Sequence, residues 1–391
     1  MRSSLSTAPG ECGVTNSQNF RTGFQSVQRS ADLVPRVGSN EAFESEIFMG
    51  NSARAGQPRG ATLSDVARLA GVSMATASKA VNGRAEVAAR TRQRVMAAVE
   101  EIGFTPNSSA QSLIAGRTGT VGLLTCDLEG RFVLPILTGA EDAFDSGQVS
   151  VLLCDARGDS IRATYHLKTL LNRRVDGIIV VGSSTDPRPT LGRNLPVPVV
   201  YAYAPSDDPA DHSLTPDNVA GGRLAVEHVI SFGRRRIAHI TGNPDYAAAR
   251  DRAQGFQEGL AAAGLHAVAE PMFGSWSEGW GRDATAILLE RYPDIDGFVC
   301  GSDQIARGTL ETLRDFARSV PEDVSVVGYD NWEVLATNSR PELTSIDCRL
   351  QELGRRSAQR IFEAIAGEPL SGGTEFVAPR VVMRGSTVIS R

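Results

Sequence analysis

The sequence predicts an α/β protein in which a small helical head precedes a larger domain of two lobes. Two short, closely spaced helical patterns between residues 62 and 82 predict the head. Beyond residue 120, short apolar runs alternate with helical patterns, which is typical of parallel sheets covered by helices on both faces. The alternation occurs in two successive series, so we expect two lobes with two parallel sheets and a ligand cleft between them.

Length and composition divide the 391 residues into four predicted segments. Residues 1–57 are rich in small and polar residues and lack a sustained period, so we expect a disordered extension. Residues 58–105 form the predicted head, 106–118 a hinge helix and linker, and 119–391 the two-lobed domain.

Charge is distributed unevenly along the chain. The formal net charge is −5, but residues 58–118 carry eight Arg and Lys against four acidic residues. Residues 1–57 carry five of each sign, so residues 119–391 hold −9. A basic module joined to an acidic domain is the distribution expected of a nucleic-acid-binding head with a separate sensor.

Hydropathy and cysteine spacing indicate the compartment. No stretch reaches the ~18 apolar residues of a membrane helix, and the N-terminus lacks the apolar run of a secretory signal, so we expect a cytoplasmic protein. The five cysteines are scattered and form no Cys-x-x-Cys pair, which indicates buried, reduced thiols. We expect no disulfide, no metal and no cofactor.

The head begins with a helix-turn-helix pattern. Thr62 and Asp65 form a Thr-x-x-Asp capping box, which predicts a helix that starts one residue after Thr62. Gly71 supplies the permissive backbone for the end of that helix. Ser73 caps a second helix over residues 74–81, and two short helices joined by a three-residue turn are typical of DNA-binding heads.

A third predicted helix completes the head. Over residues 89–102 it places Val95, Val99 and Ile102 on one face, which closes a small core. Ala88 supplies no capping side chain at its start, which costs about 1 kcal/mol relative to Ser.

The two-lobed domain is predicted as two series. The first contains strands at 121–125, 149–154, 177–181 and 197–201, with helices at 132–146 and 161–172. The second contains strands at 236–241 and 297–300, with helices at 250–263, 280–290 and 303–316.

An ordered series of motifs extends over residues 62–387. The head carries Thr62-Leu63-x-Asp65-Val66-Ala67-x-x-Ala70-Gly71-Val72-Ser73-x-x-Thr76-x-Ser78. The two-lobed domain carries Asp217-Asn218, Arg252-x-x-Gly255-Phe256, Asp303-x-x-Ala306-x-Gly308 and Gly328-Tyr329-Asp330. This series resembles the LacI/GalR family of repressors, and the resemblance implies a periplasmic-binding-protein-like sensor behind a helix-turn-helix head.

The same resemblance implies a function. The chain is expected to be a sequence-specific DNA-binding repressor, a homodimer that binds a pseudo-palindromic operator. A small effector between the lobes, a sugar or sugar derivative, is expected to set operator affinity. Induction and corepression are both compatible with these residues.

In the family, the second helix enters the major groove. The resemblance places Met74, Ala75 and Lys79 against bases, where Met and Ala offer apolar contact and Lys donates to guanine or phosphate. It places five hydroxyl and amide side chains against phosphates, namely Thr62, Ser73, Thr76, Ser78 and Asn82. The alternative for Met74 is a place in the core of the head.

The hinge segment follows the head. Asn107 caps a short helix that forms only when something else stabilises it, since so short a helix is marginal alone. The resemblance implies that Asn107, Ala110 and Leu113 contact DNA and that Leu113 wedges between base pairs of the minor groove. The alternative for Leu113 is an ordinary linker residue.

Five residues are implied to bind the effector. The principal three are Arg252, Asp303 and Trp276, because a guanidinium fork, a carboxylate and an indole face suit a polyol. Arg157 and Tyr203, which follow predicted strands, are further candidates. Alternatives are structural ion pairs for Arg252 and Asp303 and simple packing for Trp276. The loop over residues 127–132 departs from the family's Asn-Pro-Phe-Phe pattern, so effector identity does not carry over.

Two other classes of protein fit less well. A solute-binding protein for sugar uptake shares the two lobes but leaves residues 62–113 unexplained. An enzyme is disfavoured because the sequence lacks a dinucleotide-binding glycine motif, a Gly-x-Ser-x-Gly motif, a P-loop and a His-Glu-x-x-His motif.

Overall fold

The computed structural model describes residues 61–81, 83–84, 86–104, 117–143 and 149–388. The predicted extension 1–57, most of the hinge segment and four predicted DNA contacts lie outside the described residues, namely Asn82, Asn107, Ala110 and Leu113. Across the described ranges, no helix is both long enough and apolar enough to cross a membrane.

The head consists of α1 (Leu63–Leu69), α2 (Met74–Val81) and α3 (Ala89–Glu101). The predicted capping box is confirmed, since the Thr62 hydroxyl accepts from the Asp65 N–H and the Asp65 carboxylate accepts from the Thr62 N–H. Gly71 has φ +61°, the left-handed conformation that the turn after α1 requires.

Small apolar side chains form the core of the head. Val66, Ala77 and Val95, one from each helix, are fully buried. The α3 helix begins without a side-chain cap at Ala88, as the sequence predicts, and Arg94 secures it by donating to the carbonyl oxygen of Ala70 at 3.0 Å.

The first lobe starts with a five-stranded portion of parallel sheet. Its strands are β1 (Thr120–Thr125), β2 (Ser150–Asp155), β3 (Gly177–Val181), β4 (Val199–Ala202) and β5 (His212–Pro216). The helices α4 (Val133–Asp142) and α5 (Ser160–Asn172) connect its first three strands. Apolar residues of β1 and β3 are fully buried, because helices cover such a sheet on both faces.

The second lobe repeats this architecture. Its helices are α6 (Asn218–Ser231), α7 (Ala247–Ala262), α8 (Glu278–Arg291), α9 (Asp303–Asp315) and α10 (Glu333–Ala336). Its strands are β6 (Ile237–Thr241), β7 (Met272–Phe273), β8 (Gly297–Cys300), β9 (Ser325–Tyr329) and β10 (Thr344–Asp347).

The chain then returns to both lobes. The helix α11 (Leu350–Ala366) packs on α4, β11 (Gly373–Val377) joins the first sheet beside β5, and β12 (Arg380–Val382) joins the second sheet. The strand orders are β11-β5-β4-β3-β1-β2 and β12-β10-β9-β8-β6-β7. All pairs are parallel except β10 with β12, so the prediction of two parallel sheets is confirmed apart from that edge strand.

Three connections between the lobes therefore run side by side. They follow β5, β10 and β11, and the Asp217 N–H donates to the carbonyl oxygen of Val377 at 3.1 Å between two of them. Arg380, on the crossing that follows β11, pairs with Asp347 at the end of β10 at 2.9 Å. Short parallel crossings of this kind form a hinge about which two lobes rotate.

The burial of the cysteine thiols agrees only partly with the prediction. Cys300 and Cys348 are free and buried, as predicted, whereas Cys126 and Cys154 are free but only half-buried. Both half-buried thiols lie at or just beyond the carboxyl ends of first-lobe strands, where helical cover is incomplete.

Candidate functional site

The outer face of α2 is the exposed surface of the helix-turn-helix. Ala77 and Ala80 point into the core, so residues on the opposite side face solvent. Met74 is 57% exposed, which excludes the alternative that it belongs to the core. Ala75 and Lys79 are exposed as well.

The hydroxyl groups beside this face cap the helices. Ser73 Oγ accepts from the Thr76 N–H at 3.1 Å, and the two hydroxyls lie 2.9 Å apart. The Thr62 hydroxyl donates to Asp65 at 2.7 Å, and this bond, with help from Arg68, lowers the pKa of Asp65 to about 2. The caps hold Thr62, Ser73 and Thr76 in place at the helix starts. Ser78 is partly buried on α2.

Lys79 forms an ion pair within the protein in the absence of DNA. Its ammonium group donates to the Glu86 carboxylate, and that hydrogen bond lowers the pKa of Glu86. Both side chains are more than half exposed, so contact with DNA requires Lys79 to leave a weak surface ion pair.

A cavity of about 400 Å³ lies between the two lobes. The first lobe contributes residues that follow its strands, and the second lobe contributes a more aromatic wall. The lining residues are Glu129, Gly130, Arg131, Phe132, Ser183, Ser184, Thr185 and Tyr203 from the first lobe, and Tyr246, Ala248, Arg252, Trp276, Gln304, Asp330 and Trp332 from the second. Three predicted effector residues, Arg252, Trp276 and Tyr203, are among them.

Arg252 is buried, with 3% exposure, and several contacts fix its side chain. Its guanidinium donates to Asn218 Oδ1 at 2.9 Å, to the Gly301 carbonyl oxygen and to Asp330 Oδ1 at 3.3 Å. It also lies 3.7 Å above the ring of Tyr329. These contacts orient the side chain before a ligand binds, and pre-organisation of this kind lowers the entropic cost of binding.

Aromatic rings form two walls of the cavity. Tyr203 is buried with φ +73°, its ring stacks on Phe132 at 4.8 Å, and burial raises the pKa of its hydroxyl, which keeps the group protonated. Trp276 packs flat against Gly242, where any Cβ would overlap the indole, and lies 5.6 Å from the Arg252 guanidinium. The faces of such rings cover the C–H groups of a sugar.

Two predicted effector residues lie away from the cavity. Asp303 is fully buried at the start of α9, where one oxygen accepts from the Trp332 N–H and the other from the Ser345 hydroxyl, both at 2.6 Å. Arg157 follows β2, the edge strand of its sheet, and is 74% exposed. The hydrogen bonds to Trp332 and Ser345 hold Asp303 behind the wall, and the edge position of β2 keeps Arg157 outside it.

Asp330 is the carboxylate that faces the cavity instead. It is 4% exposed and pairs with Arg252 from its own lobe and with Arg131 from the first lobe. The sequence contains it in Gly328-Tyr329-Asp330, directly after β9. The rule that ligands bind beyond the carboxyl ends of strands would have selected Asp330, had the β9 strand been recognised.

A second contact joins the lobes beside the cavity. Asp186, which follows β3, accepts from the Ala247 N–H at the start of α7 at 2.8 Å and lies 3.6 Å from Arg250. A carboxylate at a helix N-terminus is stabilised by the helix dipole. The two lobes are thus held together at Asp186 and at Arg131.

A larger cavity of about 760 Å³ shares Arg131, Asp330 and Trp332 with the first. Its remaining wall is rich in charged side chains that pair with one another, such as Arg380 with Asp347. Neither Trp276 nor Tyr203 lines this larger cavity, so it lacks the ring faces that they offer to the C–H groups of a sugar. The aromatic cavity is therefore the better candidate for the effector site.

Comparison with known proteins agrees with this arrangement. Residues 62–107 match the bacterial regulatory proteins of the lacI family, and residues 226–387 match the periplasmic binding protein-like domain. The chain is 34% identical over 316 residues to the HTH-type transcriptional regulator CelR of Thermobifida fusca, covering 78% of this chain and 92% of that protein. It is 33% identical over 331 residues to the ribose operon repressor of Escherichia coli, covering 83% and 99%.

Solved structures show the same fold. A complex of the transcriptional regulator CelR with cellobiose superposes with a TM-score of 0.55 at 31% identity, covering 83% of this chain and 99% of that one. The lac repressor dimer bound to operator and the anti-inducer ONPF superposes with a TM-score of 0.65 at 27% identity, covering 85% and 100%.

Proposed function

This chain belongs to the lacI family of bacterial regulatory proteins, and from that membership we propose that it is a transcriptional repressor whose operator affinity is set by a sugar or sugar derivative bound between its lobes. The relatives are regulators, which favours this function over solute uptake and over catalysis. Such a protein acts in the cytoplasm as a homodimer on a pseudo-palindromic operator.

The DNA-binding part of the proposal rests on the exposed face of α2. A helix whose buried side is Ala77 and Ala80 presents Met74, Ala75 and Lys79 to the major groove. Met74 and Ala75 select thymine methyl groups, and Lys79 selects guanine or phosphate. Phosphate contacts are assigned to Thr62, Ser73, Thr76, Ser78 and Asn82.

The effector half rests on the interlobe cavity. Arg252 and Asp330 provide fixed donors and acceptors, and Trp276 and Tyr203 provide ring faces, which together suit a ring with several hydroxyl groups. The regulator CelR has been solved with cellobiose, and another relative is named for the ribose operon, so carbohydrate is the class of effector to test first.

Ligand binding is coupled to DNA binding through lobe closure. An effector that contacts both lobes favours one interlobe arrangement, and its influence on operator affinity equals its differential affinity for the two arrangements. Residues 106–118, with Asn107, Ala110 and Leu113 as minor-groove contacts, are the proposed connection between sensor and DNA.

The test combines two measurements on the full chain. Gel shifts compare DNA upstream of its own gene with a shuffled sequence, and a thermal-shift screen of sugars, sugar phosphates and nucleosides supplies effectors for a second set of gel shifts. Selective binding to the upstream DNA, changed by a screened compound, is the expected result. Leu113→Ala should weaken that binding and leave effector affinity intact. Binding that ignores sequence under every condition contradicts the proposal.

A further inference from the structure

Arg131 crosses the cleft. It lies in the first-lobe loop between β1 and α4, and its guanidinium contacts the second lobe. It pairs with Asp330, its Nη1 donates to Gln304 Oε1 at 3.3 Å, and its Cζ lies 4.9 Å from the centroid of the Trp332 ring. All four residues line the effector cavity. The Arg131 guanidinium of the first lobe therefore forms part of the cavity wall, in contact with the second lobe.

The conformation of the loop between β1 and α4 positions the Arg131 side chain. The Gly130 N–H donates to Asp127 Oδ1 at 2.9 Å, which closes a tight turn directly before Arg131. A Cβ at Gly130 would overlap the Asp127 carboxylate, so a side chain there would displace the group that accepts this hydrogen bond. Phe132 flanks the guanidinium at 4.8 Å on its own lobe. This is the loop in which the sequence departs from the Asn-Pro-Phe-Phe pattern.

The cations of the cavity exceed the anions that reach them. Arg131 and Arg252 share the single carboxylate of Asp330. Asp303 lies behind the wall, where burial raises its pKa to about 7 and leaves it only partly charged at neutral pH, and Glu129 is exposed to solvent, where its charge is screened. Arg131 is 21% exposed, and its Nε is buried without a hydrogen-bond partner among the described residues.

Binding of a neutral sugar would leave Arg131 without a counterion. Sugar hydroxyl groups compete for Asp330, and a mostly buried charge that loses its partner is unfavourable. A ligand with a carboxylate or phosphate avoids this loss, because its anionic group pairs with the guanidinium fork of Arg131. Asp330 then stays with Arg252 and accepts from ligand hydroxyl groups.

We propose that the effector is an anionic sugar, a sugar acid or sugar phosphate, whose negative group pairs with Arg131 across the cleft. The inference rests on the proposed function, since it names the class of effector for the same cavity. Arg131 then determines specificity, and the pair of Arg131 with Asp330 is the contact that the anion replaces.

Calorimetric titration of the full chain with matched ligands tests this inference. The series are glucose, glucuronate and glucose 6-phosphate; galactose, galacturonate and galactose 1-phosphate; and ribose, ribonate and ribose 5-phosphate. At least one charged ligand should bind tenfold or more tightly than its neutral parent, and more weakly as salt rises. Comparison of the carboxylate and phosphate arms identifies the anionic group.

Variants assign the effect to one side chain. Arg131→Gln should lower the ratio of charged-ligand affinity to neutral-parent affinity at least tenfold, whatever it does to lobe closure, while Arg131→Lys should retain part of the preference. Arg173→Gln removes an exposed charge at the end of α5 in the same lobe and should change neither affinity. Circular dichroism confirms that each variant is folded.

Three outcomes overturn the inference. They are tighter binding of a neutral sugar than of its acid and phosphate, an unchanged preference for the charged ligand over its neutral parent in Arg131→Gln, and no binding in any series. The first leaves the proposed function intact, because a neutral effector in this cleft is still an effector. Operator selectivity, measured separately by gel shift, decides the repressor function in every case.

Discussion

The carboxyl group of Asp303 is buried beside that of Asp330, and this surrounding decides its protonation. Burial first, and then the charge of Asp330, raise the pKa of Asp303 to about 7. The folded protein therefore retains a proton that the unfolded chain has lost above pH 4. Because the native state binds this additional proton, the contribution of Asp303 to the free energy of unfolding falls as pH rises from about 4 to about 7 and is constant above it.

Asp303→Asn should remove this pH dependence. The asparagine oxygen accepts from the Trp332 N–H, and its NH₂ group donates to the Ser345 hydroxyl, so both contacts survive. Between pH 5 and pH 8 the wild type should lose stability relative to the variant, on the order of 3 kcal/mol, because each pH unit below the pKa of about 7 contributes about 1.4 kcal/mol. Calorimetric Tm across this range measures the difference. Asp283→Asn, at an exposed site on α8, is the control, and equal slopes in wild type and Asp303→Asn would contradict the assignment.

The ion pair of Lys79 with Glu86 predicts a second effect of a single side chain. Glu86→Gln frees the ammonium group and removes a carboxylate that repels phosphate, so affinity for the upstream DNA should rise about three- to tenfold. If Lys79 gains a phosphate contact, the slope of log affinity against log salt should steepen by about 0.9. Fluorescence anisotropy at several salt concentrations measures both. Glu101→Gln changes the same charge at the far end of α3 and should have a smaller effect; equal effects of the two variants would rule out a specific role for the pair.

Pairs of helices in both lobes meet at reciprocal glycines. In each pair, a Cβ on either glycine would overlap a backbone carbonyl oxygen of the partner helix. The pairs are Gly139 with Gly354 between α4 and α11, Gly222 with Gly255 between α6 and α7, and Gly281 with Gly308 between α8 and α9. Gly255 and Gly308 belong to the sequence motifs, so these motif positions are explained by close backbone approach rather than by ligand contact.

Two glycines of α8 provide a matched test of this packing. Gly281→Ala forces a methyl group against the Ile305 carbonyl oxygen and should lower the free energy of unfolding by about 3 kcal/mol. Gly279→Ala, half a turn earlier, meets nothing closer than 3.8 Å and should raise it by up to about 1 kcal/mol, because alanine favours the helix. Thermal unfolding of the two variants should give opposite signs. Similar losses in both would mean that the α8 backbone does not tolerate any side chain there.

The cap-less start of α3 gives a prediction for the head. Ala88 has φ −55° and ψ 141°, a backbone conformation that suits a capping serine. Ala88→Ser should therefore stabilise the head by about 1 kcal/mol. Hydrogen exchange of the first amides of α3 should slow accordingly, while Ala97→Ser, at an exposed position inside the same helix, should not slow it. Unchanged exchange in Ala88→Ser would show that another group already satisfies these amides.

The sequence predicts correctly those elements that are determined by neighbouring residues. The capping box at Thr62 and the left-handed Gly71 are determined by neighbouring residues, and the structure has both. The β5 strand was not predicted, because its sequence His-Ser-Leu-Thr-Pro has a single aliphatic residue and is buried only by tertiary packing. The same applies to the site: Arg252 was identifiable from its motif, whereas the pairing of Arg131 with Asp330 depends on two lobes whose relative position no local pattern contains.

The two lobes are joined by three chain crossings and by two sets of side-chain contacts. The crossings form the hinge, and the contacts at Arg131 and Asp186 decide which interlobe arrangement is favoured. These contacts differ in kind, because Arg131 lines the cavity and Asp186 does not. Substitution of Asp186 therefore separates the energetics of closure from direct contact with the effector.

Asp186→Ala should weaken effector binding even though Asp186 does not line the effector cavity. The variant loses the hydrogen bond to the Ala247 N–H and the attraction to Arg250 and the α7 dipole, together worth about 1 kcal/mol at this half-exposed position. The effector must then supply that free energy on closing the lobes, so its affinity should fall about five- to tenfold, mostly through faster dissociation. Asp245→Ala removes a neighbouring exposed carboxylate that stays within the second lobe and is the control. Calorimetry and stopped-flow fluorescence with the effector from the screen measure the change. An affinity that is the same in wild type and Asp186→Ala would mean that closure does not contribute to binding, and that operator affinity is coupled to the effector by another route.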